Sequence, residues 1–258
     1  HCKLLGEEEG MKMDTASGRS ERSGTTTQDQ RGELARAAIV AGLGLLVMLL
    51  VAFSSFSAFQ RLIVEGDATA TARNIAGHEP LVRRITGGFL IVAALDVLVA
   101  WALYVLLRPV SPSIAVLAAW LRVVYAAVFA AALSNLLVAV RLVTDGTALN
   151  GFGTRQLDAQ VMTSVNQFLD GWNLALVIFG LHLLVLGYLV VRSNYIPSVL
   201  GILLAIAALG YLMDSFGGLL SNSYNANVAS FTFPGEVLLM GWLLWRGRRL
   251  GETYFSWM

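Results

Sequence analysis

The sequence predicts an all-α membrane protein, a polytopic bundle of about six transmembrane helices. Of its 258 residues, 56% are hydrophobic and only 14% are charged, and the mean hydropathy is +0.67. Soluble domains carry about 25% charged residues, so this shortage of charge favours a membrane location. The apolar residues also form long runs, and about 20 such residues are enough for a helix to cross the hydrocarbon core.

Residues 1–33 form a polar segment that we predict to be a disordered cytoplasmic tail. Ser, Thr, Gly, Glu and Arg dominate this segment, which has too few apolar side chains to form a core. Met11 and Met13 are alternative start points, and residues 1–10 are then expected to lie outside the native chain. Residues 250–258 are predicted to form a short C-terminal tail.

A six-helix transmembrane domain is predicted for residues 34–249. The turn between the fourth and fifth spans, residues 192–198, is so short that these two helices must be antiparallel neighbours. The sixth span is the weakest of the predictions, because Pro234 and Gly235 interrupt its start. The predicted spans are residues 34–59, 85–107, 114–142, 172–191, 199–220 and 228–245.

Arginine and lysine are distributed unequally between the two sides of this bundle. The side of the N-terminal tail carries more of them, at Lys3, Lys12, Arg19, Arg22, Arg31, Arg36, Arg108, Arg192, Arg246, Arg248 and Arg249. The other side carries Arg61, Arg73, Arg83, Arg84, Arg141 and Arg155. Because cytoplasmic loops carry the excess of positive charge, both termini are predicted to be cytoplasmic.

Two loops on the outer side are long. The first, residues 61–84, contains Arg61 and Asp67, and Asp67 is in the position of an N-cap before a short Ala/Thr helix. The second loop, residues 143–171, repeats apolar residues at helical spacing, which predicts an amphipathic helix. This helix either lies on the outer surface or packs as a lid over the bundle. The repeated residues are Leu157, Val161, Val165 and Phe168.

Asp96, Arg122 and His182 are predicted to form a polar cluster inside the membrane. Counting residues from the span ends places all three near the same depth, at 1.5 Å per residue. Ionisable side chains at this depth cost about 2.5–3.5 kcal/mol each, so they are the first candidates for function. Asp96 and Arg122 are either a structural clamp between helices or a substrate or proton site. His182 is either an interhelical hydrogen-bond partner or a proton carrier or ligand.

Asp214 and Glu236 are predicted to lie in the outer half of the fifth and sixth spans. Together with His182 they are the candidate catalytic residues, and they are also three potential metal ligands. No metal site is predicted, because none of these residues occurs at a diagnostic ligand spacing. No cofactor is predicted either, since no phosphate-binding glycine loop or nucleophile elbow is present. The single cysteine, Cys2, excludes a cysteine-based cluster.

Several motifs in the membrane part are familiar as a combination. They are RLIVEGDATATARNI in the first outer loop, AAWLRVVYAA in the third span, FGLHLLVLGYLVVRSNYIPSVLGILL across spans four and five, and PGEVLLMGWLLW in the last span. These motifs resemble the bacterial domain-of-unknown-function 4386 family, over residues 37–247. The resemblance implies a bacterial cytoplasmic-membrane protein with six or seven spans. It supplies no reaction, substrate or cofactor.

The expected function is non-enzymatic, as a small-solute permease or a membrane sensor with the polar cluster lining its interior. One alternative is an intramembrane enzyme that acts on a lipid or quinone through His182, Asp214 and Glu236. Another alternative is a structural scaffold, in which the charges only hold the bundle together. The expected partners are the lipid bilayer and a small-molecule or lipid ligand. Nucleic acid is not an expected partner, and the sequence leaves the oligomeric state open.

Overall fold

The computed structural model describes residues 32–144, 153–221, 224 and 226–249, and the regular structure of these residues is entirely helical. Five of the helices are long and apolar enough to cross a membrane. This confirms the predicted all-α membrane bundle, whereas the predicted tails at residues 1–31 and 250–258 lie outside the described residues. The five long helices are α1 (Gly32–Gln60), α3 (Glu79–Leu107), α4 (Pro112–Thr144), α5 (Thr154–Arg192) and α6 (Ser198–Leu220).

The sixth apolar run is helical but divided. It contains α7 (Ala229–Thr232) and α8 (Pro234–Arg246), followed by a 3₁₀ turn at Gly247–Arg249. Pro234 has no amide hydrogen to continue the helix, which explains the break after α7. The 13 residues of α8 span only about 20 Å at 1.5 Å per residue, less than the ~30 Å of the hydrocarbon core.

The bundle has two ends, which we name after Arg108 and Asp67. At the Arg108 end, Arg108 Nη2 lies 2.6 Å from Glu33 Oε2, and the Tyr195 hydroxyl donates to Leu106 O at 2.6 Å. These contacts bring the start of α1, the end of α3 and the α5–α6 turn to one level. Gly247 packs against Ala38 of α1, so the described chain starts and finishes at the Arg108 end.

The outward surface of the bundle is strongly apolar. Soluble monomers rarely expose contiguous apolar patches larger than a few hundred Å². Here large hydrophobic side chains that are more than half exposed occur on all of the long helices, as expected for a surface in contact with lipid. They include Leu50, Phe53, Leu90, Trp101, Trp120, Leu174, Ile202 and Leu219.

Helices α5 and α6 form the predicted antiparallel hairpin, and their main chains touch. A Cβ atom on Gly201 would lie 2.6 Å from the carbonyl oxygen of Gly187, and one on Gly187 would lie 2.7 Å from that of Gly201. Glycines at both positions therefore allow the close approach that is typical of membrane helix pairs. The other close pairs in sequence order, α3 with α4 and α4 with α5, also pack extensively.

At the Asp67 end the short helix α2 (Ala68–Gly77) lies before α3. The Ala70 amide donates to Asp67 Oδ1 at 2.8 Å, which confirms the predicted N-cap. The Thr69 hydroxyl donates to Asp158 Oδ2 at 2.8 Å, and this bond joins α2 to the start of α5.

The amphipathic helix predicted in the second outer loop is the first part of α5. Val161, Val165 and Phe168 are completely buried in the bundle, so this helix neither lies on the outer surface nor forms a separate lid over the bundle. The apolar stripe continues through Trp172 into the fourth span without a proline, and α5 therefore runs for 39 residues. This is about 58 Å, nearly twice the thickness of the hydrocarbon core.

Candidate functional site

Asp96 and Arg122 form an ion pair in the middle of the bundle. Arg122 Nη2 lies 2.7 Å from Asp96 Oδ1, and the two side chains are 3% and 0% exposed, respectively. Both residues lie on neighbouring antiparallel helices, about 15 Å from the Arg108 end at 1.5 Å per residue. Neither charge would be tolerated alone at this depth without a large cost in stability.

His182 adjoins this pair as a neutral side chain. Its Nδ1 lies 2.8 Å from Ala118 O, and its Nε2 lies 3.2 Å from Arg122 Nη1. A carbonyl oxygen only accepts and a guanidinium only donates, so Nδ1 carries the proton and Nε2 accepts. The protein therefore uses both ring nitrogens, and this geometry favours the interhelical hydrogen-bond partner over the proton carrier or ligand.

A cavity of about 230 Å³ lies beside the ion pair, and Asp96, Arg122 and Glu236 form its polar wall. Glu236 lies on α8, ten residues before Arg246, and is therefore about 15 Å from the Arg108 end. The predicted outer-half position of Glu236 is thus wrong. Glu236 lies deeper than predicted because the chain re-enters the bundle below the end of α6, where the Val228 amide contacts Asp214.

The rest of the cavity wall is apolar or aromatic. Helix α1 and the α7–α8 segment both contribute to it, and five of the lining side chains are aromatic. Phe179 connects these rings, with its ring centre 4.8 Å from that of Tyr125 and 5.3 Å from that of Tyr211. The aliphatic side chains and methionines are Leu45, Met48, Leu49, Ala52, Val92, Leu176, Val237 and Met240, and the remaining aromatic ones are Trp172 and Phe233.

Several polar atoms of this wall have no hydrogen-bond partner among the described residues. They are both carboxylate oxygens of Asp96, Oε1 of Glu236 and Nε of Arg122. The ion pair is therefore close in distance but poorly directed as a hydrogen bond. Native proteins rarely leave buried polar atoms unpaired, so such atoms facing a cavity indicate a place where a ligand or water binds.

Asp214 lies apart from this cavity wall and holds the chain after α6. Its carboxylate accepts hydrogen bonds from the Tyr224 hydroxyl at 2.8 Å and from the amides of Val228 at 3.0 Å and Ala229 at 2.7 Å. The hydrogen bond to Asp214 also raises the pKa of Tyr224, because the bond stabilises the protonated phenol. Both oxygens of Asp214 are occupied by these contacts.

The structure therefore brings Asp96, Arg122, His182 and Glu236 together and leaves Asp214 elsewhere. The enzyme hypothesis requires His182, Asp214 and Glu236 to share one site, and the described geometry does not provide that. Among the described residues, no three His, Cys, Asp or Glu side chains gather in a way that could hold a metal ion. The two outer-loop candidates do not take part in this cluster. Asp67 caps α2, and Arg61 is exposed in the turn after α1.

Tyr125, Phe179 and Tyr211 are site residues that the sequence analysis did not select. Residues three apart on a helix share a face, so Tyr125 follows from Arg122 and Phe179 from His182. This spacing could have identified both of them. No comparable signal identifies Tyr211. Its partner Glu236 is on a different helix, and the packing of α6 against α8 cannot be predicted from residue spacing.

Comparisons with known proteins give the chain a family. A model described as "Domain of unknown function (DUF4386)" matches residues 40–247. A protein of the archaeon Archaeoglobus fulgidus, described as an uncharacterized protein, is 38% identical over 175 residues, which are 68% of this chain and 90% of that protein. No solved structure matches the chain. The chain is therefore a multi-pass membrane protein that belongs to the DUF4386 family.

Proposed function

We propose that this protein is a non-enzymatic membrane sensor that binds a small amphipathic molecule inside the bilayer. The observation that carries the proposal is the cavity at mid-depth, which is lined by Asp96, Arg122 and Glu236, each with an unpartnered polar atom, and otherwise mostly by apolar side chains. Such a combination of an apolar lining with a few convergent polar groups is typical of small-molecule sites.

The route from this cavity to the Arg108 end supports a sensor rather than an open permeation pathway. Below His182 the space between the helices is filled by apolar side chains that are almost completely buried. Leu103, Leu107, Leu186 and Leu189 are 4%, 1%, 1% and 0% exposed, respectively. A permease would have to open this layer, whereas a sensor needs only to bind its ligand and to respond.

The Arg108 end faces the cytoplasm of a bacterial cell in this proposal, because the N-terminal tail and the flanks at that end carry the larger share of arginine and lysine. A cysteine scan tests the orientation in a Cys2→Ser background. Glu65→Cys at the Asp67 end should react with a membrane-impermeant maleimide in intact cells, and the exposed Ser113→Cys at the Arg108 end should not. The reverse labelling pattern would overturn the orientation.

Ligand binding is tested with the full chain in lipid nanodiscs and 2-phenylethanol as the probe. The engineered cavities that bind benzene measure about 150 Å³, so a cavity of about 230 Å³ has room for a phenyl ring with a short polar arm. Equilibrium dialysis against empty nanodiscs of the same lipid corrects for partitioning into the bilayer. The wild-type protein should retain more probe than the empty discs.

The matched variants introduce the same side chain, phenylalanine, inside and outside the cavity. Ala52→Phe fills the cavity from α1 and should abolish the excess retention of the probe. Leu50→Phe lies two residues away on the lipid-facing side, where Leu50 is 62% exposed, and should leave retention unchanged. Equal retention by the wild type, by Ala52→Phe and by empty discs would overturn the proposed function.

A further inference from the structure

The chemistry of the cavity also indicates which class of ligand it takes, an inference that rests on the proposed binding function. The polar wall has an excess of acceptors. Three carboxylate oxygens, two on Asp96 and one on Glu236, have no hydrogen-bond partner among the described residues, against one free donor, Nε of Arg122. A ligand that satisfies this wall must therefore bring N–H or O–H donors.

The charges of the wall point in the same direction. Arg122 is 2.7 Å from Asp96 and balances its charge. Glu236 takes part in none of the ion pairs of the described residues. Its carboxylate forms a hydrogen bond with the side chain of Tyr211. One arginine, Arg122, therefore stands against two carboxylates in this wall, and a positively charged ligand would balance the second of them.

The aromatic side chains of the wall can also attract a cation. The Arg122 guanidinium already lies over the Phe179 ring, 5.5 Å from its centre, so the site holds one cation against an aromatic face. Tyr125, Trp172 and Tyr211 add further rings around the same cavity. Aromatic faces attract ammonium groups, most strongly where water is excluded.

We propose that the cavity binds an organic amine in its ammonium form, with Glu236 as its counter-ion and the Asp96 oxygens as additional acceptors. The apolar body of the amine lies between α1 and the α7–α8 segment, against Met48, Ala52 and Val237. A carboxylate or phosphate ligand fits this wall poorly, because its negative charge would lie beside the carboxylates of Asp96 and Glu236.

The test compares three probes that share a phenyl ring and differ in the charge of the polar arm. These are 2-phenylethylamine, 2-phenylethanol and phenylacetate, measured on the full chain in nanodiscs by equilibrium dialysis. We expect the amine to bind the wild-type protein about tenfold more tightly than the alcohol, because a hydrogen bond between charged groups is stronger than one from a neutral hydroxyl. Phenylacetate should bind more weakly than either.

Variants at Glu236 make the assignment specific. Glu236→Gln should remove the preference of the amine over the alcohol, and Glu236→Asp, which keeps the charge, should retain it. Exposed Asp170→Asn is the matched control for the loss of a carboxylate outside the cavity, and it should retain the preference. The ratio of the two affinities is the readout, so partial loss of folded protein does not imitate the effect.

The outcomes separate this inference from the proposed function. If the alcohol binds and Ala52→Phe blocks it, but the amine binds no more tightly, the amine assignment is overturned and the binding function stands. If the preference for the amine survives Glu236→Gln, Glu236 is not the counter-ion and the assignment is again overturned. If none of the three probes binds, both proposals are wrong.

Discussion

Asp214 Oδ2 accepts a hydrogen bond from the amide of Ala229 at 2.7 Å, across 15 residues of sequence. Its other oxygen accepts from the Val228 amide at 3.0 Å. Asp214 precedes Leu220 by six residues, so α7 begins about 9 Å below the Asp67 end of α6. Unpaired amides at a helix start are costly in hydrocarbon, and a carboxylate from the neighbouring helix satisfies them here.

The first prediction concerns this cap. Asp214→Ala removes the acceptor for two amides and for the Tyr224 hydroxyl, and we expect it to lower the free energy of unfolding by about 1–3 kcal/mol. Asp214→Asn keeps one oxygen and should have a smaller effect. Thermal unfolding of the purified protein in detergent measures the difference.

Asp170→Ala is the matched control for the cap, because Asp170 is an exposed carboxylate on α5. It should unfold at the wild-type temperature. A normal unfolding temperature for Asp214→Ala would instead mean that the cap is not needed, and Asp214 would return to the list of candidates for a chemical role.

The second prediction follows from the raised pKa of Tyr224, which has the hydrogen bond to Asp214 as its main cause. A raised folded-state pKa means that this bond contributes its full stability below the unfolded-state value, about 10, and loses it as the pH rises through the folded value. Between pH 8 and pH 11 the unfolding temperature of the wild-type protein should therefore fall by more than that of Tyr224→Phe. Equal losses in the two proteins would show that the bond does not contribute.

The five long helices could be predicted because each apolar run exceeds the thickness of the bilayer, and length alone decides this. Their boundaries were less accessible to sequence reasoning. The predicted span starts at Trp172, whereas α5 already starts at Thr154, because no proline separates the loop helix from the span. The sixth run, by contrast, is divided by Pro234, and its start lies at the depth of Asp214.

The candidate site could be predicted only in part. The contact between Asp96 and Arg122 follows from equal depth on neighbouring antiparallel helices. The position of Glu236 does not follow, because it depends on how deeply the chain re-enters after α6. The tautomer of His182 is set by its contact with the Ala118 carbonyl oxygen. This contact joins two helices, so residue spacing within one helix cannot predict it.

The third prediction concerns the close contact between α5 and α6. Gly201→Ala should destabilise the protein strongly, because the new Cβ would lie 2.6 Å from the Gly187 carbonyl oxygen and 2.8 Å from the Val191 amide nitrogen. Both contacts are with main chain, which cannot move aside as a flexible side chain can. The measurement is the yield of monodisperse protein after heating in detergent.

Gly87→Ala is the matched control for this contact, since nothing lies within 4 Å of a Cβ at Gly87. It should be neutral or slightly stabilising, because alanine favours a helix over glycine. If both variants behave alike, the α5–α6 contact is more tolerant than its geometry indicates.

The fourth prediction separates a structural clamp from a dispensable pair. Arg122→Leu leaves the Asp96 carboxylate buried without its partner, which should cost about 3–5 kcal/mol of stability. The double variant Asp96→Leu/Arg122→Leu removes both charges, so we expect it to unfold at a higher temperature than Arg122→Leu alone. It should not recover the wild-type value, since His182 Nε2 still loses the donor at 3.2 Å.

An exposed pair of the same chemistry is the control. Arg108 and Glu33 lie 2.6 Å apart with side chains 41% and 44% exposed, and exposed pairs contribute only about 0–1 kcal/mol. Arg108→Leu should therefore have a much smaller effect than Arg122→Leu. If the two single variants are equally stable, burial is not what makes the Asp96–Arg122 pair important. If the double variant unfolds at no higher temperature than Arg122→Leu, the Asp96 carboxylate is not the cause of the instability, and the cavity wall must be stabilised in another way.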